Sequence, residues 1–429
     1  MWIIGCRIAQ SVFALVINML TARYLGPSNF GLINYAASIV AFVTPVMKLG
    51  INNVLVNEII QHPEKEGETL GTSLLLTLIS SFCCIGGIAA FVQIANPNEP
   101  ETLAVCILYS LLLICQSMEL VQFWFQAKYM AKYTSLSVLG AYIVVSAYKI
   151  YLLMTQKSIY WFAVSNAFDY LLIAIALLVI YRKKGGSPFT VSASAVGRLL
   201  RQSVHYILPE MMVMIYAQTD RIMLKTMLGN EVVGFYAAAV TITGLTNFVF
   251  IAIIDSMRPL ILESKRDRSE EYERNMVRLY SIVMYLALLQ SLFLVVLAKP
   301  VVWLLYGEAY LAAVQPLRIV AWYTMFSYFG AVRNVWILAE GKQKYLLGIN
   351  VCGAVANVGM NLLLIPSFGI NGAAFASLVT QFFTNVITGM FMKPIRPNNA
   401  LMYQGANPRV LNELIQSGLR SVRKKKHNS

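Results

Sequence analysis

The chain has 429 residues, 58% of them apolar and only 13% charged, with a mean hydropathy of +0.63. That leaves too few charged residues to coat two or three soluble domains, and the apolar content excludes a disordered chain. The net charge of +14, from 34 Lys and Arg against 20 Asp and Glu, suits either a nucleic-acid binder or the basic side of a polytopic membrane protein. The positions of those charges decide between the two.

A bilayer core takes roughly 20 apolar residues per helix. In chain order such runs lie near 1–22, 31–59, 71–94, 102–126, 134–154, 159–181, 204–227, 233–257, 279–298, 314–337, 345–365 and 372–392. The pattern predicts an all-α polytopic membrane protein of about twelve transmembrane helices. The run 31–59 is long enough to be tilted or broken. The first run lacks a basic lead and a small-residue cleavage site, so it does not read as a signal peptide. The connectors are short and leave no room for a soluble catalytic domain, so the chain is not expected to be an enzyme.

With the N-terminus in the cytoplasm, 24 of the 34 Lys and Arg fall in connectors on that side or in the tail from 393. Three fall on the other side (Arg23, Lys157, Lys299) and seven inside the runs. This asymmetry predicts an even number of spans with both termini cytoplasmic. The expected organisation is a six-helix lobe over 1–181, a basic cytoplasmic linker over 182–203, a second six-helix lobe over 204–392, and a basic tail over 393–429. Arg423, Lys424, Lys425 and Lys426 in that tail fit a solvated end or one resting on anionic lipid, and nucleic acid is not an expected partner. The six cysteines lie in apolar runs and the three histidines are far apart in sequence, so no metal site is expected.

The chain contains an internal echo. Tyr24-Leu25-Gly26-Pro27-Ser28-Asn29-Phe30-Gly31 recurs, 203 residues on, as Met227-Leu228-Gly229-Asn230-Glu231-Val232-Val233-Gly234. Each copy sits between the first and second helix of a half. Six spans per half make the repeats parallel, related by an axis along the membrane normal.

Charges inside spans are the most informative residues, at roughly 2.5–3.5 kcal/mol each for a central position. The basic ones are Arg7, Lys48, Lys149, Arg221, Lys225, Arg318 and Arg333; the acidic ones are Glu58, Glu119, Asp169, Glu210, Asp220 and Asp255. Positions eleven apart on a helix lie about 20° apart, which aligns Arg7 with Asn18 and Glu210 with Arg221. The repeat offset maps the first pair onto the second, and Asn52 onto Asp255. Lys48 and Asn52 share a face with Asn34 and Ser38, and Pro45 is expected to kink or break the helix just before Lys48. Glu58, Glu119, Asp169 and Lys149 read best as pairs that hold the bundle together. Arg7, Lys48, Arg221 and Lys225 opposite Glu210, Asp220 and Asp255 read as the lining of a hydrated cavity suited to an anionic head group.

Three stretches resemble the polysaccharide-transport branch of the multidrug/oligosaccharidyl-lipid/polysaccharide (MOP) exporter superfamily, the Wzx-type O-antigen and capsule-repeat flippases. They are Ala22-Arg23-Tyr24-Leu25-Gly26-Pro27 through Phe30-Gly31; Thr219-Asp220-Arg221-Ile222-Met223-Leu224 through Gly234-Phe235-Tyr236; and Ile365-Pro366-Ser367-Phe368-Gly369-Ile370-Asn371-Gly372-Ala373-Ala374. Tyr306-Gly307-Glu308-Ala309-Tyr310 with Leu317-Arg318-Ile319 is also similar to a family stretch. The resemblance implies a two-lobe, twelve-helix flippase that turns an undecaprenyl-diphosphate-linked oligosaccharide across the bacterial inner membrane by alternating access. It also implies a central cavity lined by the first two helices of each lobe. On this reading Arg7, Lys48 and Arg221 bind the diphosphate with Lys225 and Arg333 in support, and Asn18 and Asn52 complete the substrate face. Glu210, Asp220 and Asp255 pair with these cations or carry a coupling H+ or Na+; no other cofactor is expected. The partners implied are the lipid-linked oligosaccharide and membrane lipids, with a polysaccharide polymerase and a chain-length regulator alongside. One departure is that the apolar run begins at Trp2, whereas the resemblance implies a short cytoplasmic lead. The alternatives are a MATE-like cation-coupled drug exporter, a lipid II flippase, or an integral-membrane polysaccharide polymerase. The small basic excess, the number of helices and the short outer connectors argue against each in turn.

Overall fold

The structure is a computed structural model that describes residues 2–267, 270–413 and 416, with side chains described from residue 13 onward. Among the described residues it is all-helical, and each of the twelve apolar runs falls on helix. Seven helices are long and apolar enough to cross a membrane, and an eighth span forms if the bent pair Asn230–Gly244 and Asn247–Arg266 counts as one.

The first two runs form one element, α1 (Trp2–Met47), with a break at Gly26. Gly26 has φ 70° and ψ 173°, a backbone that only glycine adopts without strain, and Pro27 then restarts the helix. The 31–59 run is indeed broken: α1 ends at Met47, Leu49 and Gly50 take positive φ, and α2 covers Leu55–Gln61. Pro45 explains the position of the break, since it has no N–H to give the carbonyl four residues back. The 102–126 run is divided into α4 (Pro100–Ser110), α5 (Leu112–Met118) and α6 (Gln122–Ala127), after the continuous α3 (Glu66–Ala95). Next come α7 (Ala131–Met154), α8 (Ile159–Lys183) and α9 (Ala193–Leu228); α9 starts eleven residues into the basic linker and carries Pro209 within it.

The remaining helices are α10 (Asn230–Gly244), α11 (Asn247–Arg266), α12 (Glu271–Val296), α13 (Ala298–Tyr306), α14 (Val314–Ala339), α15 (Lys344–Phe382), α16 (Thr388–Phe391) and α17 (Arg396–Gly405). The last two apolar runs are the two arms of α15 and its continuation, divided at Gly369 (φ 57°) within the third family-like stretch. The polar start of the tail is not all solvated: α17 buries Asn398, Asn399, Leu401 and Met402, and Tyr280 donates to Asn398 Oδ1 at 2.8 Å.

The chain forms two compact units, one of residues 1–237 and 305–310, the other of 238–304 and 311–429. In the first, α1 packs along α9, so the two echoing stretches meet. Gly31 lies against the backbone of Asn230, and Gly234 against that of Pro27; a Cβ on either would sit 1.8 Å and 2.1 Å from the respective carbonyl oxygen. The offset of 203 maps Gly31 onto Gly234 and Pro27 onto Asn230, so the contact repeats itself about a local two-fold. Tyr310 seals this junction by donating to Ala22 O at 2.8 Å and packing edge-on to Phe30 and Phe235.

Gly31→Ala and Gly234→Ala should each lower stability by about 1–3 kcal/mol, because the contacting atoms are backbone and cannot turn aside. Thermal unfolding of the detergent-solubilised variants measures this, and a melting temperature equal to wild type would show that the crossing is not close-packed.

Candidate functional site

Two helix interruptions and a proline inside a third helix border one cavity of about 450 Å³ in the first unit. Its walls come from α1 (Thr44, Pro45), the turn after it (Lys48, Asn52), α4 and α5 (Tyr109, Gln116), α8 (Tyr170) and α9 (Glu210), with apolar residues between. The interruptions are the Leu49–Gly50 turn and the α4–α5 break at Leu111; Pro209 leaves α9 continuous but removes one hydrogen bond from it. Non-helical backbone at membrane depth is tolerated where it lines a cavity or is buried in protein.

The polar groups of this lining are largely left to the cavity. Lys48 makes no side-chain hydrogen bond or ion pair among the described residues, although Glu119 lies within its electrostatic reach. The Asn52 Oδ1 and Gln116 Oε1 atoms are buried without a partner, an arrangement that costs about 1–3 kcal/mol per group unless water or a ligand completes it. Glu210 is oriented by Asn53, which donates to its Oε1 at 2.8 Å.

The other sequence-selected residues have different surroundings. Lys225 is buried and pairs with Glu99 Oε2 at 2.6 Å, and Thr102 donates to the same oxygen. Asp220 is buried and accepts from Tyr236 at 2.5 Å. Arg221 donates to Gln218 Oε1 at 2.9 Å, and its charge reaches the cavity-lining Tyr109. Asn18 is half-buried in α1. In the second unit, Asp255 forms an exposed pair with Arg258 at 3.0 Å. Arg333 there is 5% exposed and donates to Thr384 O at 2.6 Å, on the π-helical turn Phe383–Ile387. The Arg7 side chain and the Arg423–Lys426 cluster lie outside the described residues. Within the first unit, then, Lys48, Asn52 and Glu210 come together at one cavity, while Lys225 and Asp220 are engaged elsewhere.

The structure adds Tyr109, Gln116 and Tyr170, which the sequence reading did not select. Gln116 carried a weak signal as an uncharged amide in an apolar run; two tyrosines among 23 carried none. Of the four residues read as bundle pairs, Glu58 and Lys149 have partners, whereas Asp169 Oδ1 is buried without one and Glu119 makes no hydrogen bond or ion pair among the described residues. Glu58 pairs with Arg198 at 3.3 Å, and Lys149 donates to Asn166 Oδ1 at 3.0 Å.

Several candidate membrane spans and a cavity lined from one group of helices define a polytopic membrane protein. The chain belongs to the polysaccharide biosynthesis protein family, whose family model matches residues 1–265. It is 27% identical over 243 residues to an uncharacterised membrane protein of Methanocaldococcus jannaschii. That match covers 52% of this chain and 47% of the relative, so the chain spans about half the length of the curated relative it matches. Among solved structures it is similar to the lipid II flippase MurJ in an inward closed conformation, with a TM-score of 0.71 and 10% identity over 92% of this chain and 89% of that one. It is also similar to an inward-facing multidrug-resistance MATE-family transporter, with a TM-score of 0.69 and 16% identity over 91% and 95%. A MOP-superfamily transporter from Pyrococcus furiosus, described as having a binding pocket of reversed polarity, gives 0.61 and 15% over 92% and 94%. At these identities the likeness is one of fold.

The Glu99–Lys225 pair, in the connector before α4, makes a pH prediction. Burial pushes the Glu99 carboxyl up, but hydrogen bonds from Lys225 and Thr102 and the Lys225 charge outweigh it and hold the group below its usual value. A depressed carboxyl stabilises the fold above its unfolded value and loses that contribution as pH falls through the folded one. Glu99→Gln should therefore melt below wild type at neutral pH, and the gap should close as pH drops below about 4. A gap independent of pH would show that the charge on Glu99 does not contribute.

Proposed function

We propose that this protein is a flippase for an oligosaccharide linked to undecaprenyl diphosphate, working by alternating access in the bacterial inner membrane with both termini cytoplasmic. The observation that carries the reading is an unpaired Lys48 at an intramembrane cavity, in a chain of a polysaccharide biosynthesis family. An ammonium in hydrocarbon is costly unless it meets an anion, and a lipid-linked diphosphate brings one to membrane depth. Arg221, whose charge reaches Tyr109 in the same lining, is the second diphosphate ligand in this proposal. O-antigen, capsule and exopolysaccharide repeat units all fit this chemistry. The polymerase and chain-length regulator that act on such units are the proposed neighbours. Glu210, Asp220 and Asp255 are the proposed carboxylates for coupling to H+ or Na+ or for balancing the cations.

A cation-coupled drug exporter is the second reading, favoured by Glu210 in the cavity wall. It would require a cationic substrate to approach Lys48.

In vesicles loaded with lipid-linked repeat units, Lys48→Ala and Arg221→Ala should each slow flipping by about tenfold or more, the value of one charged hydrogen bond. A leaflet-accessibility assay measures the rate. Unchanged flipping in both variants removes the diphosphate assignment, and export of a cationic dye without lipid flipping selects the second reading.

A further inference from the structure

The chemistry of the lining points beyond a phosphate site. A diphosphate offers only acceptor oxygens, yet several groups left open in this cavity are acceptors too. Asn52 Oδ1 and Gln116 Oε1 are buried and unpartnered. Asn53 engages only Oε1 of Glu210, so its second oxygen has no protein partner among the described residues. The Tyr109 and Tyr170 hydroxyls, which line the same space, also make no protein hydrogen bond there. Three amide or carboxylate oxygens, two phenols and the Lys48 ammonium therefore line one volume and offer it both acceptors and donors, as a polyhydroxylated ligand requires. Lys48 opposes an ammonium ligand and takes the phosphate, and the amides, the phenols and Glu210 are left to neutral hydroxyls. Ala37, Val40, Ala41 and Leu112, with the tyrosine rings, add apolar surface for the C–H faces of a ring.

We infer that the cavity of the first unit is a saccharide subsite, in which Asn52, Gln116 and Glu210 accept hydrogen bonds from sugar hydroxyls while Lys48 meets the adjoining phosphate. Water fills these bonds when the site is empty, and the sugar replaces it with hydroxyls of matching geometry. The inference rests on the flippase reading and assigns the cavity to the sugar nearest the diphosphate.

The test compares two probes with the full-length protein in nanodiscs: undecaprenyl diphosphate, and the same lipid carrying one N-acetylhexosamine. Wild type should bind the glycosylated lipid more tightly. Asn52→Leu/Gln116→Met should weaken the glycosylated lipid by about tenfold or more and the bare lipid by less than about twofold. Tyr109→Phe, which keeps the ring and loses one hydroxyl, should show the same selectivity at smaller size and serves if the double variant unfolds. Equal weakening of both probes, or no gain from the sugar in wild type, overturns the subsite and leaves the flippase reading standing. If wild type binds neither lipid, the flippase reading falls and takes the subsite with it.

Discussion

The first unit depends on a backbone crossing. Gly31 and Gly234 let the start of α10 and the second arm of α1 approach to backbone contact, each against the turn residue of the other copy. Nothing larger than glycine fits. Because the two contacts are one contact repeated through the duplication, the crossing fixes where α1 and α9 diverge. Tyr24, Tyr306 and Tyr310 then pack around it; Tyr24 donates to Lys157 O at 3.0 Å and so ties in the α7–α8 connector. A junction of small residues suits a membrane interior, where no hydrophobic force draws helices together and close packing must do so instead.

Below that crossing, α9 is held to the first unit by polar contacts along its length. Arg198 meets Glu58, Glu210 takes a hydrogen bond from Asn53, and Lys225 meets Glu99. Charges that would be prohibitive in lipid thus become specific attachments between segments far apart in sequence. In the second unit, Arg333 uses the carbonyl of a π-helical turn, and the Asn399 amide donates to Val386 O of the same turn at 2.7 Å. Most intramembrane charge is used in this way. Lys48 makes no such contact and lines the cavity, which is why it dominates the functional reading.

The helices, the turn at Gly26 and the break after Pro45 were legible because they rest on local signals: apolar run length, a Leu-Gly turn, and a proline without an N–H. Of the pair aligned on α9, Glu210 lines the cavity, whereas Arg221 is not in its lining and bonds Gln218 instead. What could not be read was which charge meets which. Glu99 lies 126 residues before Lys225 and sits in a connector, outside every span, so a search confined to intramembrane charges passed over it. The same search passed over Gln116, Tyr109 and Tyr170, because neutral polar side chains cost too little in a span to stand out. The helical start of α9 within the linker and the burial of α17 were hidden by charge, since a basic stretch reads as solvated even where one face of it is packed.

The cavity lies where the chain breaks, and the two facts have one cause. An unbroken helix satisfies its own backbone and offers neighbours only side chains, so unbroken helices pack closely. The turn at Leu49–Gly50, the interruption at Leu111 and the proline inside the continuous α9 each remove backbone hydrogen bonds from that regular pattern around one space. Each of the three also sets a polar side chain beside it: Lys48 and Asn52 at the first, Tyr109 and Gln116 around the second, Glu210 at the third. Irregular backbone at membrane depth needs water or a ligand to complete its hydrogen bonds. The breaks that would weaken a purely structural bundle are therefore the features that keep a polar space open inside it.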